Sequence, residues 1–140
     1  MTDITVRRTI PASADAVWSD LRSFGGVERF LGMIERSEVQ GSGVGATRIC
    51  TTHDGGRLVE TLEELDDDAR TLVYTIQEAP MPFENYRSTM QVVGAGAGSS
   101  TVTWSCTFDA APEAAGELEA TMRGVYEGGL EGLEALYTKG

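Results

Sequence analysis

At 140 residues, 41% of them hydrophobic, the chain can bury about two thirds of its unfolded surface, so a single domain spanning 1–140 is expected. A net charge of −11, with Lys139 as the only lysine, excludes the clustered cations that nucleic acid requires and disfavours an anionic membrane surface. No apolar run approaches the ~20 residues of a bilayer span, and the start MTDITVRRTIPASADAVW lacks the apolar segment of a secretion signal.

Residues 3–10, DITVRRTI, have the texture of a strand that Pro11 stops. Ser13 then supplies an N-cap, and Ala14, Val17, Trp18 and Leu21 recur at helical spacing to about Phe24. Gly25 and Gly26 break this helix, VERFLGMI is expected to form a second short one, and GSGVG separates the next two strands. From residue 45 the pattern becomes strand and turn in alternation: ATRICTT, HDGG, RLVETLEEL, DDDA, RTLVYTIQE, a proline loop, NYRSTMQVV, GAGAGSS and TVTWSCTF. Turns this close together describe an antiparallel meander. Leu72, Tyr74 and Ile76 share a face, as do Tyr86, Met90 and Val92, and Val102, Trp104, Cys106 and Phe108, so one side of the sheet is apolar and must be covered.

The cover is the C-terminal run that Pro112 opens, where Leu118, Met122, Val125, Gly129, Leu133 and Leu136 follow at spacings of three and four. The fold class is therefore α+β: a curved antiparallel sheet of about seven strands wrapped around a long C-terminal helix, with two short helices after the first strand. The last helix contains Gly124, Gly128, Gly129 and Gly132, each costing about 1 kcal/mol against alanine. Gly129 and Gly132 fall on its apolar face. Either the helix presses close to its neighbours there, or the missing side chains leave a void shaped for an occupant.

The element order, with IPASADAVWSDL, GVGATR at 43–48, DGGRLVETLEELDDDARTLVYTI at 54–76, PMPFENYRSTMQV at 80–92 and STVTWSCTF at 100–108, resembles the START-like or Bet v 1-like superfamily over nearly the whole chain. More narrowly it resembles the bacterial polyketide cyclase/dehydrase-like group of SRPBCC proteins. The resemblance implies a helix-grip fold with a cavity between sheet and last helix, and a gate and a latch at its entrance. Those loops map to HDGG, 53–56, and EAPMPF, 78–83. Two prolines stiffen the second, and Met81 and Phe83 offer adaptable apolar contact at the rim.

Glu60 shares a strand face with Leu58 and Leu62 if RLVETLEEL is regular, and that face points to the cavity. Arg48 on the preceding strand is the cation that would hold its charge, but a one-residue slip puts the two on opposite faces. An exposed cross-strand ion pair is the simpler arrangement and the one expected. Tyr74, Met90, Trp104 and Met122 are candidate cavity residues on apolar faces, with Trp104 the most readily explained as core. Tyr86, after the proline loop, and Tyr126, beside the helix stripe, are better placed to touch a ligand, because a buried tyrosine needs a hydrogen-bond partner. The candidate ligand contacts are thus Arg48, Glu60, Tyr74, Met81, Phe83, Tyr86, Met90, Trp104, Met122, Tyr126 and Gly129. If the cavity is catalytic, Glu60 and Tyr86 are its acid–base candidates.

Other signals carry less. GSGVGA at 41–46 precedes a strand, so no helix N-terminus awaits a pyrophosphate, and GAGAGSS lacks the Gly-Lys-Ser/Thr of a phosphate loop. His53 stands alone in a turn, Asp66–Asp68 lack the alternation of a calcium loop, and Cys50 and Cys106 form no zinc set. No metal and no cofactor are expected, and both thiols are taken as reduced, in the cytoplasm. The first functional expectation is a binder or carrier of a hydrophobic small molecule (lipid, aromatic or polyketide-like), acting as monomer or homodimer without membrane insertion. The alternatives are a cyclase/dehydrase-type enzyme using the same cavity and a ligand-responsive protein-interaction module.

Overall fold

The computed structural model describes residues 1–138; Lys139 lies outside them. Seven strands, β1 (Thr2–Ile10), β2 (Ile34–Gln40), β3 (Thr47–Thr52), β4 (Arg57–Asp66), β5 (Thr71–Glu78), β6 (Glu84–Gly94) and β7 (Ser100–Asp109), form one antiparallel sheet in the order β1-β7-β6-β5-β4-β3-β2. Helix α1 (Ala14–Arg22) follows β1, and α2 (Pro112–Thr138) closes the chain. The meander from β2 to β7 is the turn-punctuated run of the sequence, and β1 joins its far edge against β7.

The second short helix expected from VERFLGMI is only a 3-10 turn, Val27–Arg29. Gly26 sits at φ +68 just before it, and Ile34 is already hydrogen-bonded into β2, so too few residues remain to propagate an α-helix. At α1 the Ser13 hydroxyl accepts from the Ala16 amide, as the cap chemistry requires. The helix is tied down by Asp67 in the β4–β5 turn, which accepts from Trp18 Nε1 at 2.8 Å and from Arg22 Nε at 2.7 Å.

Alternation governs the sheet. Ser100, Val102, Trp104, Cys106 and Phe108 of β7 are buried, as are Tyr86, Ser88, Met90 and Val92 of β6. In β4 the pattern breaks once: Leu62 pairs with Tyr74 and Glu64 with Val73, which makes Glu63 a bulge residue. Leu58, Glu60 and Leu62 therefore face inward, whereas Glu64 is exposed and Leu65 takes the inward side. The bulge keeps a second carboxylate out of the interior.

Helix α2, 27 residues and about 40 Å long, packs over β1, β7 and the 3-10 turn. A Cβ on Gly129 would lie 2.8 Å from both Leu31 Cδ2 and Trp104 Cζ3, and one on Gly132 would lie 3.0 Å from the Phe30 carbonyl carbon and closer still to its oxygen. Close approach explains these two glycines, and they leave no void. Gly124 and Gly128 face solvent with nothing within 4 Å of an added Cβ, so packing does not offset their cost.

Candidate functional site

Between the concave sheet face, α2 and the segment after α1 lies a cavity of about 40 Å³. Its apolar walls come from Leu31 and Met33 ahead of β2, Leu58 and Ile76 in the sheet, Met81 in the β5–β6 loop, and Met122 and Val125 on α2. Its polar lining is Arg48, Glu60, Tyr74, Tyr86, Trp104 and Tyr126.

Arg48 and Glu60 are direct cross-strand partners on β3 and β4, and both point inward, not outward as expected. The register puts them beside Cys50, Leu58 and Leu62 on the covered face, which leaves their side chains only 7% exposed. Arg48 Nε donates to Glu60 Oε1 at 2.5 Å, and Nη1 donates to the Phe24 carbonyl at 3.1 Å. The guanidinium carbon lies 4.0 Å from the centroid of the Phe24 ring and 4.9 Å from that of Tyr74. Burial works against the Arg48 charge, but Glu60, with Tyr74 and Cys50, outweighs it and raises the pKa above its ordinary value. Burial, and then the Glu60 charge, push the Cys50 thiol and the Tyr74 phenol each up to about 12, so both are neutral at physiological pH.

Phe24, just beyond the end of α1, has φ +66, a left-handed conformation that costs a bulky residue about 1–3 kcal/mol. Arg48 holds it there through both its carbonyl and its ring. The ion pair thus organises the end of α1 as well as the cavity floor.

Beside the pair, a hydroxyl cluster spans the sheet and the helix. Trp104 Nε1 donates to Ser88 Oγ at 3.0 Å and to Tyr74 at 3.3 Å; Ser88 donates to the Ser105 carbonyl at 3.0 Å; Tyr126 lies 2.9 Å from Ser88 Oγ and is also hydrogen-bonded to Tyr86. Burial pushes the Tyr86 and Tyr126 phenols well above their usual range. The Trp104 and Tyr126 rings stack at 4.1 Å, which locks the helix to β7.

At the outer end, Met33 and Met81 separate the cavity from an open cleft of about 400 Å³ that they line together with Thr52, His53, Asp54 and Pro80. The β3–β4 turn and the β5–β6 loop approach each other here, since a Cβ on Gly56 would lie 3.2 Å from Pro80 Cγ. The turn is braced by Gly56 N donating to Thr52 Oγ1 at 2.7 Å and by His53 N donating to the Met33 carbonyl at 3.3 Å. His53 itself is an exposed turn residue, and Asp66 caps its own turn through the amides of Asp68 and Ala69.

Of the residues singled out in the sequence, Arg48, Glu60, Tyr74, Met81, Tyr86, Trp104, Met122 and Tyr126 meet at the cavity. Three do not line it. Phe83 packs its ring on Tyr86 at 4.6 Å, Met90 borders a separate void of about 10 Å³ behind Arg48, and Gly129 is the close-approach point of α2. Ser88 is not singled out in the sequence and Cys50 is taken there only as a reduced thiol, although strict alternation with Met90 and Arg48 places them on the same face. Leu31 and Met33 lie in an irregular segment with no periodicity to reveal them.

The fold has close counterparts. A structure of the protein XoxI from Bacillus cereus is 30% identical with a TM-score of 0.90, covering 99% of this chain and 97% of that one. A solution structure from Thermobifida fusca is 33% identical with a TM-score of 0.85, covering 98% and 93%. A START superfamily protein from Mycobacterium smegmatis shares the fold at a TM-score of 0.82 and 11% identity, covering 96% of each chain. No curated protein matches the sequence. The family model described as polyketide cyclase/dehydrase and lipid transport matches residues 1–138, and the chain belongs to that family.

Proposed function

We propose that this protein binds an apolar small molecule, a lipid, aromatic or polyketide-like compound, in the cavity between the sheet and α2. The observation that carries this reading is the partition formed by Met33 and Met81. The inner space of about 40 Å³ has room for only a few waters, well short of the several hundred Å³ that enclose an organic ligand of ordinary size. The cleft outside adds about 400 Å³, and the two spaces share Met33 and Met81 as lining residues. Methionine has three rotatable bonds and a low cost of repacking, so swinging these side chains aside joins the spaces without moving the sheet. The family's lipid-transport and cyclase members support a ligand-binding role.

The catalytic alternative draws on Glu60, whose proposed partner is compromised: Tyr86 is hydrogen-bonded to Tyr126, and burial raises its pKa, which makes it a poor proton donor. Binding without chemistry is the better supported function.

Native mass spectrometry of protein purified from its own host tests the proposal, together with thermal shifts against fatty acids and polycyclic phenols. A retained small-molecule mass or a saturable rise in Tm is expected. No retained mass and no shift with any compound would overturn the cavity as a binding site.

A further inference from the structure

Only one arrangement of protons satisfies every contact in the hydroxyl cluster. Trp104 Nε1 can only donate, and it reaches both Ser88 Oγ and the Tyr74 oxygen. The Ser105 carbonyl can only accept, so it takes the single proton of Ser88. Tyr126, 2.9 Å from Ser88 Oγ, must then donate to Ser88, and Tyr86 in turn must donate to Tyr126. Every hydroxyl proton in the cluster is committed to a direct hydrogen bond except that of Tyr74, which accepts from Trp104 and lies near Ser88 and Tyr126 without a direct bond to either.

The ion pair has a complementary vacancy. Arg48 Nε and the weak Cys50 thiol contact both engage Glu60 Oε1, and Oε2 accepts from no described residue although Glu60 is only 5% exposed. Among the described residues Ser100 Oγ alone is both fully occluded and without a partner, so Glu60 Oε2 keeps contact with open space, and the space beside Glu60 is the cavity. Tyr74 and Glu60 are diagonal neighbours across β4 and β5, on the same face, with Tyr74 opposite Leu62 and Glu60 opposite Ile76.

On the reading that the cavity binds an apolar ligand, we propose that it selects a neutral phenolic or enolic hydroxyl as the ligand's polar head, whose O–H donates to Glu60 Oε2 while its oxygen accepts the proton of Tyr74. Charge complementarity removes the other candidates. A carboxylate would be placed against Glu60, and an ammonium would share Glu60 with an arginine already bonded at 2.5 Å. An ether or a ketone leaves the carboxylate oxygen unpartnered. A phenol or enol is also a better donor to a carboxylate than an aliphatic alcohol is, because the bond is charge-assisted and the hydroxyl more acidic.

Three probes that share a tolyl group separate these possibilities: p-cresol, p-methylanisole and toluene, titrated by calorimetry while the Trp104 indole N–H resonance is followed by NMR. p-Cresol is expected to bind at least about tenfold more tightly than p-methylanisole, which lacks the donor, with toluene weakest. Tyr74→Phe removes the cluster's free proton and the longer of the two acceptors of Trp104 Nε1, which keeps its bond to Ser88. That variant should weaken p-cresol and p-methylanisole about tenfold each and leave toluene unchanged. Equal affinities for the three probes, or p-cresol binding unaltered by Tyr74→Phe, would overturn the hydroxyl assignment and leave the cavity reading standing. Failure of all three to bind or to shift the Trp104 resonance would overturn both.

Discussion

The floor and the mouth of the cavity are built on opposite plans. At the floor, Arg48, Glu60, Tyr74, Ser88, Trp104 and Tyr126 are buried and cross-linked by hydrogen bonds whose donors and acceptors nearly all have partners. At the mouth, Met33, Met81 and Pro80 meet through apolar contact, on a loop and a turn that border open space. A satisfied polar network in a low-dielectric interior is rigid, because any rotation leaves a buried group unpaired. A methionine contact has no such directional demand. The difference teaches that one cavity can join a fixed polar surface to an adaptable apolar one; on the proposed binding function, specificity falls to the floor and access to the mouth.

Breaking the floor should have the largest effect. Glu60→Leu leaves the Arg48 charge buried and unanswered, and it is expected to cost about 3–5 kcal/mol in urea denaturation at neutral pH. The double variant Arg48→Met with Glu60→Leu should recover most of that loss. Glu64, four residues along the same strand and paired with Arg87 at 2.6 Å on the surface, supplies the control. Glu64→Gln should cost under about 1 kcal/mol. A loss at Glu60 no larger than at Glu64 would show that burial does not distinguish the floor.

Alkaline titration probes the floor without mutation. Tyr74 is held neutral up to about 12 in the folded protein, against an ordinary value of 10.0, so the folded state binds the proton more tightly than the unfolded one. The associated stability is complete below pH 10 and falls as the pH rises through 12, by about 1.4 kcal/mol per pH unit across that window. Absorbance of tyrosinate should therefore lag in the native protein and appear with unfolding. Tyrosinate formed near pH 10 for all four tyrosines, with the native circular dichroism intact, would contradict a sealed floor.

The helix above the cavity sharpens the comparison further. Gly132→Ala drives a methyl group into the Phe30 carbonyl and should destabilise by about 1–3 kcal/mol, whereas Gly128→Ala meets only solvent and should stabilise by about 1 kcal/mol. Melting temperatures of the pair test whether glycine sets the height of α2 over the sheet. At the mouth the stability effect is small. Met81→Ala trims a half-buried side chain at a cost of about 1 kcal/mol, and the on-rate of p-cresol in stopped-flow quenching of Trp104 fluorescence should rise several-fold. An unchanged on-rate would mean that the methionine partition does not control access.

Apart from Met81 in the proline loop, the residues that the sequence placed on the cavity are those on regular strands and on or beside the apolar stripe of α2. Period-two alternation put Tyr74, Tyr86 and Trp104 on the covered side, and helical spacing did the same for Met122. The 3-10 turn was read as a helix because VERFLGMI has helical composition, and its shortness showed only once β2 had claimed Ile34. Phe83 and Met90 looked like ligand contacts because they are large and apolar, but size does not say which of two neighbouring spaces a side chain fills.

By itself the sequence determined the strand-and-turn meander, the covering helix and the apolar face between them, because hydrophobic period and turn chemistry are properties of contiguous residues. The tertiary structure alone decided that Arg48 meets Glu60 inside the protein, that a bulge at Glu63 keeps Glu64 outside, and that Gly129 and Gly132 mark contact and not a hollow. Each of these depends on register or distance between segments far apart in the chain. A shift of one residue in pairing, or of an ångström in packing, reverses the outcome without altering any local pattern.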